Sequence, residues 1–522
     1  MSLTRRQVLK AGATTGAILA LEPTLGAARG LVTDPLVQSV VTAALDAAKK
    51  GGASYADARV HRRVEENVSV RDDHIEGVDW SERYGLGVRV LVDGAWGFAS
   101  TSQVQPKDAA RAAQLACEMA RADAKILERK TELAPNPAQI DVWQTPLLKD
   151  PFKIPVGDKA ELLLAVAESL RKVKGVKYAT AWLSSRLEWK FLVSSEGTQL
   201  EQSITRLGPR YFATAVDDAS GEFVDRGWDG HGAQSGWELI EQSHFLEDAT
   251  RVAEEAVEKL NSPPAVAGKK DLILHPSNLW LTIHESVGHP TELDRALGDE
   301  ANFAGTSFAT VDKLGKYTWG APMVTLYADK TTPGGLATCG YDDDGVKTQR
   351  WNLVEKGRFV GYQTTREQAG WIGEKASRGC CYAQDHASVP FQRMPNVSLA
   401  PGEKDLSVQD LIAATDDGIY VVGDGSWSID HQRYNFQFGG QMFYEVKKGK
   451  VVKSLKELGY QSNTPEFWKS CDLLGGASSW QMGSAFDDGK GEPTQSNPVS
   501  HGCPAARFKK VNIINTREGK GA

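Results

Sequence analysis

The chain has 522 residues, enough for two to four domains with an ample core. Hydrophobic residues at 41% and charged residues at 24% are ordinary values for a soluble globular protein. A net charge of −7 with no basic stripe argues against nucleic acid as a partner, and six cysteines are too few for a disulfide scaffold at this length.

Thr4-Arg5-Arg6-Gln7-Val8-Leu9-Lys10 matches the twin-arginine export pattern. A weakly apolar run over 11–21 follows, and Gly26-Ala27-Ala28 offers a signal-peptidase cut. Residues 1–28 therefore read as a signal peptide, and the mature protein as periplasmic or otherwise extracytoplasmic. That run is too short to span a bilayer, and no later segment reads as a transmembrane helix.

Residues 34–130 read as an N-terminal α/β domain. Asp34-Pro35 opens a helix through Leu36, Val40, Val41, Leu45 and Ala48, and Gly51-Gly52 ends it. Strand-like alternation follows over 58–61 and 67–71. The run 87–92 meets a turn at Asp93-Gly94 and continues over 96–99, a hairpin signal. An Ala-rich helix over 106–125 closes the unit. After a proline-bearing connector, residues 156–262 read as a middle α/β domain. Helices are expected over 159–172 and 236–260, with strands near 178–183, 188–194 and 202–206. Ser262-Pro263-Pro264 is a linker, and strand patterns dominate the C-terminal domain, 266–515. The fold class is α+β: α/β units, then a β-rich domain with one embedded helix.

That helix carries His284-Glu285-Ser286-Val287-Gly288-His289, two imidazoles and a carboxylate inside six residues. Neutral imidazole is a common zinc ligand, and an adjacent glutamate suits proton transfer from a water that the metal has acidified. Zinc-peptidase helices carry their histidines at i and i+4, on one face. Here the gap is i+5, about 140° apart on a regular helix. The two rings meet one metal only if the helix holds an extra residue, as in a π-bulge, which Gly288 would ease. Elsewhere, Asp342-Asp343-Asp344 lacks EF-hand spacing and reads as a solvated turn. Cys380-Cys381 reads as small packing residues and Asp430-His431 as structural.

Taken together, these segments resemble the TldD/PmbA family of bacterial metalloproteases, in its metal-bearing TldD-type subunit, over roughly residues 34–515. The likeness rests on Ala53-Ser54-Tyr55-Ala56-Asp57-Ala58-Arg59 and Gly85-Leu86-Gly87-Val88-Arg89-Val90 in the first unit. It continues in His284, Glu285, Gly288, His289, Glu292 and Asp294, in Tyr341-Asp342-Asp343-Asp344-Gly345, and in the hairpin over 354–362. The resemblance implies a zinc-dependent peptidase acting on unfolded or peptide substrates, which enter a chamber as an added strand. Its metal would be held by His284, His289 and a cysteine, with Glu285 moving the proton. It also implies a dimer, either of two copies or with a metal-free PmbA-like homologue.

In the family the cysteine lies in a Cys-Gly-Lys segment upstream of Gln-Ser-x-Pro-Val. Here the matching residues are Asp488-Gly489-Lys490 and Gln495-Ser496-Asn497-Pro498-Val499, so Asp488 stands in the cysteine's place. Three candidates for the third ligand follow: Asp488 by position, Cys503 by its thiolate, and His501. Arg378, Tyr382 and His386 fall in a polar segment near the family's active site, Arg378 or Tyr382 as a candidate oxyanion donor. The alternative function is a non-catalytic peptide-binding or partner subunit of the same family, which the missing cysteine favours and the intact histidine motif opposes.

Overall fold

The computed structural model describes residues 34–517, so the expected signal peptide lies outside the described residues. Helix α1 (Pro35–Lys50) starts where Asp34 accepts from the Leu36 backbone N–H at 2.8 Å, with Pro35 in the first turn. It leads into strands β1 (Tyr55–Arg71), β2 (His74–Val92) and β3 (Ala95–Thr101), then helix α2 (Pro106–Asp123). Asp93-Gly94 forms the expected hairpin turn, with Val92 opposite Ala95. The connector contributes β4 (Ile140–Gln144). Helix α3 (Val156–Arg171), strands β5 (Val176–Ser194), β6 (Gln199–Val216) and β7 (Phe223–Gly227), and helix α4 (Ala249–Asn261) follow.

All seven strands form one sheet, ordered β3-β2-β1-β5-β6-β4 with β7 paired to β6. The first and middle units are thus joined through the β1–β5 ladder, from Asp57 opposite Ser194 to Arg71 opposite Thr180. The runs expected over 58–61 and 67–71 are one continuous strand. Its alternation persists through Arg62, Arg63, Glu65 and Glu66, whose charge hid the continuity. The helix expected over 236–260 is instead a short helix, Glu238–Gln242, and α4. Between them His244 sits at φ 54°, a left-handed conformation that ends a helix.

On one face of the sheet, α1 and α2 bury Val40, Val41 and Ala113 against Val60 and Val88, and α3 and α4 bury Leu163, Val166 and Val252 against Leu183 and Tyr211. The other face carries Asp57, Arg59, His61 and Arg63 of β1 with Glu188, Lys190 and Arg206 of β5 and β6, all buried under the C-terminal half.

That half is built on β8 (Gly268–Leu274), helix α5 (Pro276–Ile283), β9 (Asp417–Ile429), β10 (Asn435–Lys447), β11 (Leu458–Asn463), a ribbon of β12 (Gln481–Lys490) and β13 (Gln495–Cys503), and β14 (Ala506–Asn515). Strands β9, β8, β14, β11 and β10 pair in that order, and β10 pairs back onto β9, closing a barrel. Helix α5 is buried along its whole length and stitched to the barrel. Asn278 donates to the Gly423 and Gly439 carbonyls at 2.8 and 2.9 Å, and Thr282 meets the Tyr460 hydroxyl at 2.9 Å.

Ion pairs and hydrogen bonds join the sheet to the C-terminal half. Arg89 lies between Asp57 and Asp344 at 2.8 and 2.7 Å, Lys190 meets Asp343 at 2.8 Å, and Tyr382 donates to Glu188 at 2.9 Å. Arg59, Arg63 and Arg206 donate to the carbonyls of Ser388, Gln384 and Leu336. The expectation of a solvated turn at 342–344 is therefore corrected: all three aspartates are buried, because the sheet supplies cations to Asp343 and Asp344 while backbone N–H groups of Asp344, Val346 and Cys381 donate to Asp342.

Candidate metal centre and its cleft

Helix α5 runs straight into His284–Gly288, which is one turn of π-helix, and the His289 backbone N–H bonds to the His284 carbonyl five residues back. The extra residue brings both imidazoles to one side, with ring centroids 4.6 Å apart. Gly288 serves this turn by size. Its φ of −55° is ordinary helix, but a Cβ there would come within 2.6 Å of the Met394 sulfur. The expectation that it relaxes the backbone is corrected accordingly.

The third group comes from the ribbon. Pairing of β12 with β13 slips between Ala485 and Asp488, an extra residue on β12 that kinks the strand next to the Asp488 carboxylate. Asp488 Oδ1 lies 3.4 Å from His284 Nε2 and 3.6 Å from His289 Nε2. One ligand atom from each of the three residues falls within 4.8 Å of the others, all three buried. Two imidazole nitrogens and a carboxylate oxygen are a donor set that suits a divalent transition metal, zinc included. Arg393 holds the aspartate from behind, at its backbone carbonyl and at Oδ2, 3.3 Å away.

Electrostatics follow this packing. Burial pushes the Asp488 carboxyl up, but His289, His284 and Arg393 outweigh it and hold the group well below the usual carboxylate range. Burial lowers His284, yet its contact with Asp488 leaves it raised. His289 is pushed down to about 4 by burial and by Arg433. Behind His289, Glu292 accepts from Nδ1 at 2.9 Å and is itself clamped by Lys490 and Arg295 at 3.2 and 3.3 Å.

Glu285 projects beside the three, buried, with Oε2 paired to Arg433 Nη1 at 2.5 Å. Arg433 sits at φ 60° in the turn between β9 and β10, a conformation costly for a non-glycine residue and held there by Asp430, whose carboxylate caps the turn. Sequence reasoning missed Arg433, and nothing local to it announces a site 148 residues from Glu285.

The remaining candidates lie elsewhere. Cys503 is fully buried in the apolar core, its sulfur 3.6 Å from the Pro276 carbonyl, and is not one of the three converging residues. As the last residue of β13 it cannot fold back as the thiolate reading requires. His501 bonds to His284 and belongs to the centre's surroundings. Tyr382 is occupied by Glu188 in the sheet interface, Arg378 pairs with Glu374, and His386 packs against Gly85 of β2. All six cysteines are buried free thiols.

The three residues open on a cleft of about 720 Å³ between the sheet and the C-terminal half. Trp182 and Arg210 line it from the sheet, Asp424 and Trp427 from β9, Phe486 from the ribbon, and His231 from the loop after β7.

Three family profiles match the chain. They are described as PmbA/TldA metallopeptidase domain 1 (residues 56–120), the central domain (149–262) and the C-terminal domain (267–515). A metalloprotease of Methanothermobacter thermautotrophicus is 27% identical over 88% of this chain and 96% of its own. A zinc metalloprotease TldD homolog of Saccharolobus solfataricus is 22% identical over 89% and 98%. The crystal structure of TldE from Thermococcus kodakarensis superposes with a TM-score of 0.70 at 18% identity, covering 91% of this chain and all of that one. Fold, motif and relatives agree, and the chain belongs to the PmbA/TldD family of metallopeptidases.

Proposed function

We propose that this chain is an exported, zinc-dependent peptidase of unfolded or peptide substrates, its metal held by His284, His289 and Asp488. The observation that carries the reading is the convergence of His284 Nε2, His289 Nε2 and Asp488 Oδ1 at the floor of the cleft, beside Glu285. When bound, the metal would acidify a water and polarise the scissile carbonyl. Glu285 Oε2 receives the proton and returns it to the departing amine nitrogen. Arg433 holds that carboxylate in place, and its remaining donors suit a developing oxyanion. Among the described residues strand β12 pairs with β13 alone, and residues 483–489 line the cleft, an arrangement that suits an extended peptide laid along the ribbon.

Export rests on the twin-arginine pattern at Arg5-Arg6 and implies a periplasmic or extracytoplasmic site of action. No helix among the described residues is long and apolar enough to cross a membrane. Assembly as a homodimer, or with a PmbA-like homologue, is part of the same proposal, and mass measurement of the protein alone and co-expressed tests it. A strictly monomeric active species defeats that part.

The decisive variant is Glu285→Gln. It retains stoichiometric zinc and loses turnover by about 10²- to 10⁴-fold. Peptidase activity preserved in that variant removes Glu285 from the mechanism. Purified protein without zinc favours the alternative of a peptide-binding subunit.

A further inference from the structure

We infer that His501 is a positioning residue that fixes which nitrogen of His284 faces the metal, and is not itself a ligand. This rests on the proposed ligand set of His284, His289 and Asp488. The argument is one of proton placement. His501 Nδ1 lies 2.9 Å from the Val397 carbonyl, which can only accept, so that nitrogen carries a hydrogen. With the ring's hydrogen committed to that carbonyl, Nε2 is the bare nitrogen left to accept. That bare Nε2 lies 2.8 Å from His284 Nδ1. The hydrogen between them therefore belongs to His284 Nδ1, so Nε2, 3.4 Å from Asp488, is the nitrogen offered to a metal. Glu292 imposes the same tautomer on His289, through Nδ1 at 2.9 Å. Both rings thus present Nε2 to one point.

The structure holds His501 for this task. It sits mid-strand in β13, opposite Gly483, and lies parallel to Trp280 with an interplanar angle of 10°. A Cβ on Gly483 would come within 2.1 Å of Trp280, so the ribbon is glycine there for the indole to lie flat between helix and strand. With both nitrogens bonded, His501 has no lone pair to give a metal unless one of those bonds breaks. The two metal-bearing histidines consequently differ in kind. His289 is backed by a carboxylate in a charged cluster, and His284 by a neutral ring whose acceptor strength depends on one backbone carbonyl.

Several measurements test this. In metal-free protein labelled with ¹⁵N-histidine, only ten rings need assignment. His501 should show the Nδ1–H tautomer with Nε2 accepting, and the opposite tautomer overturns the inference without touching the proposed ligand set. His501→Leu, which fills space without accepting, should weaken zinc by about 10- to 100-fold in chelator competition, the usual scale for an outer partner. His501→Gln, whose carbonyl can accept from His284, should recover most of that loss and keep the cobalt-substituted absorption spectrum of the parent. Unchanged affinity in His501→Leu overturns the inference, as does failure of His501→Gln to recover while its melting temperature matches the parent. X-ray absorption showing three imidazoles on the metal makes His501 a ligand and overturns it too. If the parent binds no zinc, the proposed function fails, while the tautomer measurement still decides the present point.

Discussion

Behind the sheet, Arg89 is shared by Asp57 and Asp344, Lys190 pairs with Asp343, and Glu188 is shared by Arg206 and Tyr382, so these buried carboxylates are spent on cations or a hydroxyl. Around the π turn the charges are as deeply buried, yet His284, His289 and Asp488 meet across 3.4 to 3.6 Å with their ligand atoms converging on one point. In the first region carboxylates pair with cations one contact at a time, while in the second three ligand atoms converge as a set that a cation would complete. Burial of charge is common to both. What distinguishes the site from the joint is the convergence of those three atoms on one point.

The comparison can be broken from either side. Removing a member of the unsatisfied set has the largest effect. Asp488→Ala should cut zinc affinity by more than the ~10- to 100-fold of an outer partner while leaving folding intact by circular dichroism. Retained zinc would show that the carboxylate is dispensable. In the joint, Arg89→Met leaves Asp57 and Asp344 buried without their cation, and should cost about 3–5 kcal/mol in denaturant unfolding. A cost below 1 kcal/mol would mean water replaces the guanidinium.

Acid supplies a graded test. Burial pushes Glu188 up, but Arg206, Lys190 and Arg63 outweigh it and hold the carboxyl at about 2. Its folded value is depressed, so its contribution is fully present above the unfolded value of about 4.5 and is lost as pH falls towards 2. Relative to Glu188→Gln, the parent should lose about 3 kcal/mol across that window. Parallel stability curves for the two proteins would refute the coupling. The smallest effect is expected at Cys503. Cys503→Ala should cost about 1 kcal/mol of stability and leave metal content unchanged, because the sulfur faces Pro276 in the core.

Much of the site was legible because its residues are neighbours in sequence: the i+5 spacing demanded an extra residue in the helix, and a π turn is present. Asp488 was reachable only through resemblance, and Arg433 not at all, since a residue recruited from a distant turn leaves no local pattern. For the fold, caps and turn residues marked α1 and the β2–β3 hairpin well. The sheet's polar face misled for a physical reason. Alternating apolar and charged residues in β1 describe a half-exposed strand, and the sequence cannot announce that Asp342, Asp343 and Asp344 will arrive to cover it. The same ambiguity made that acidic turn look solvated.

The π turn has a consequence for which changes this chain can accumulate. Each residue advances a helix by about 100°, so a single insertion between His284 and His289 turns one imidazole away from the other, and a deletion leaves i+4 spacing, which suits a regular turn and not this π turn. Ser286 accepts from the Trp468 indole at 2.9 Å and Val287 packs in the core, so each is also held by its neighbours. The number of residues between the histidines is tied to the winding of the helix, and a relative one residue shorter there would need a regular α-helical turn to bring its two rings together.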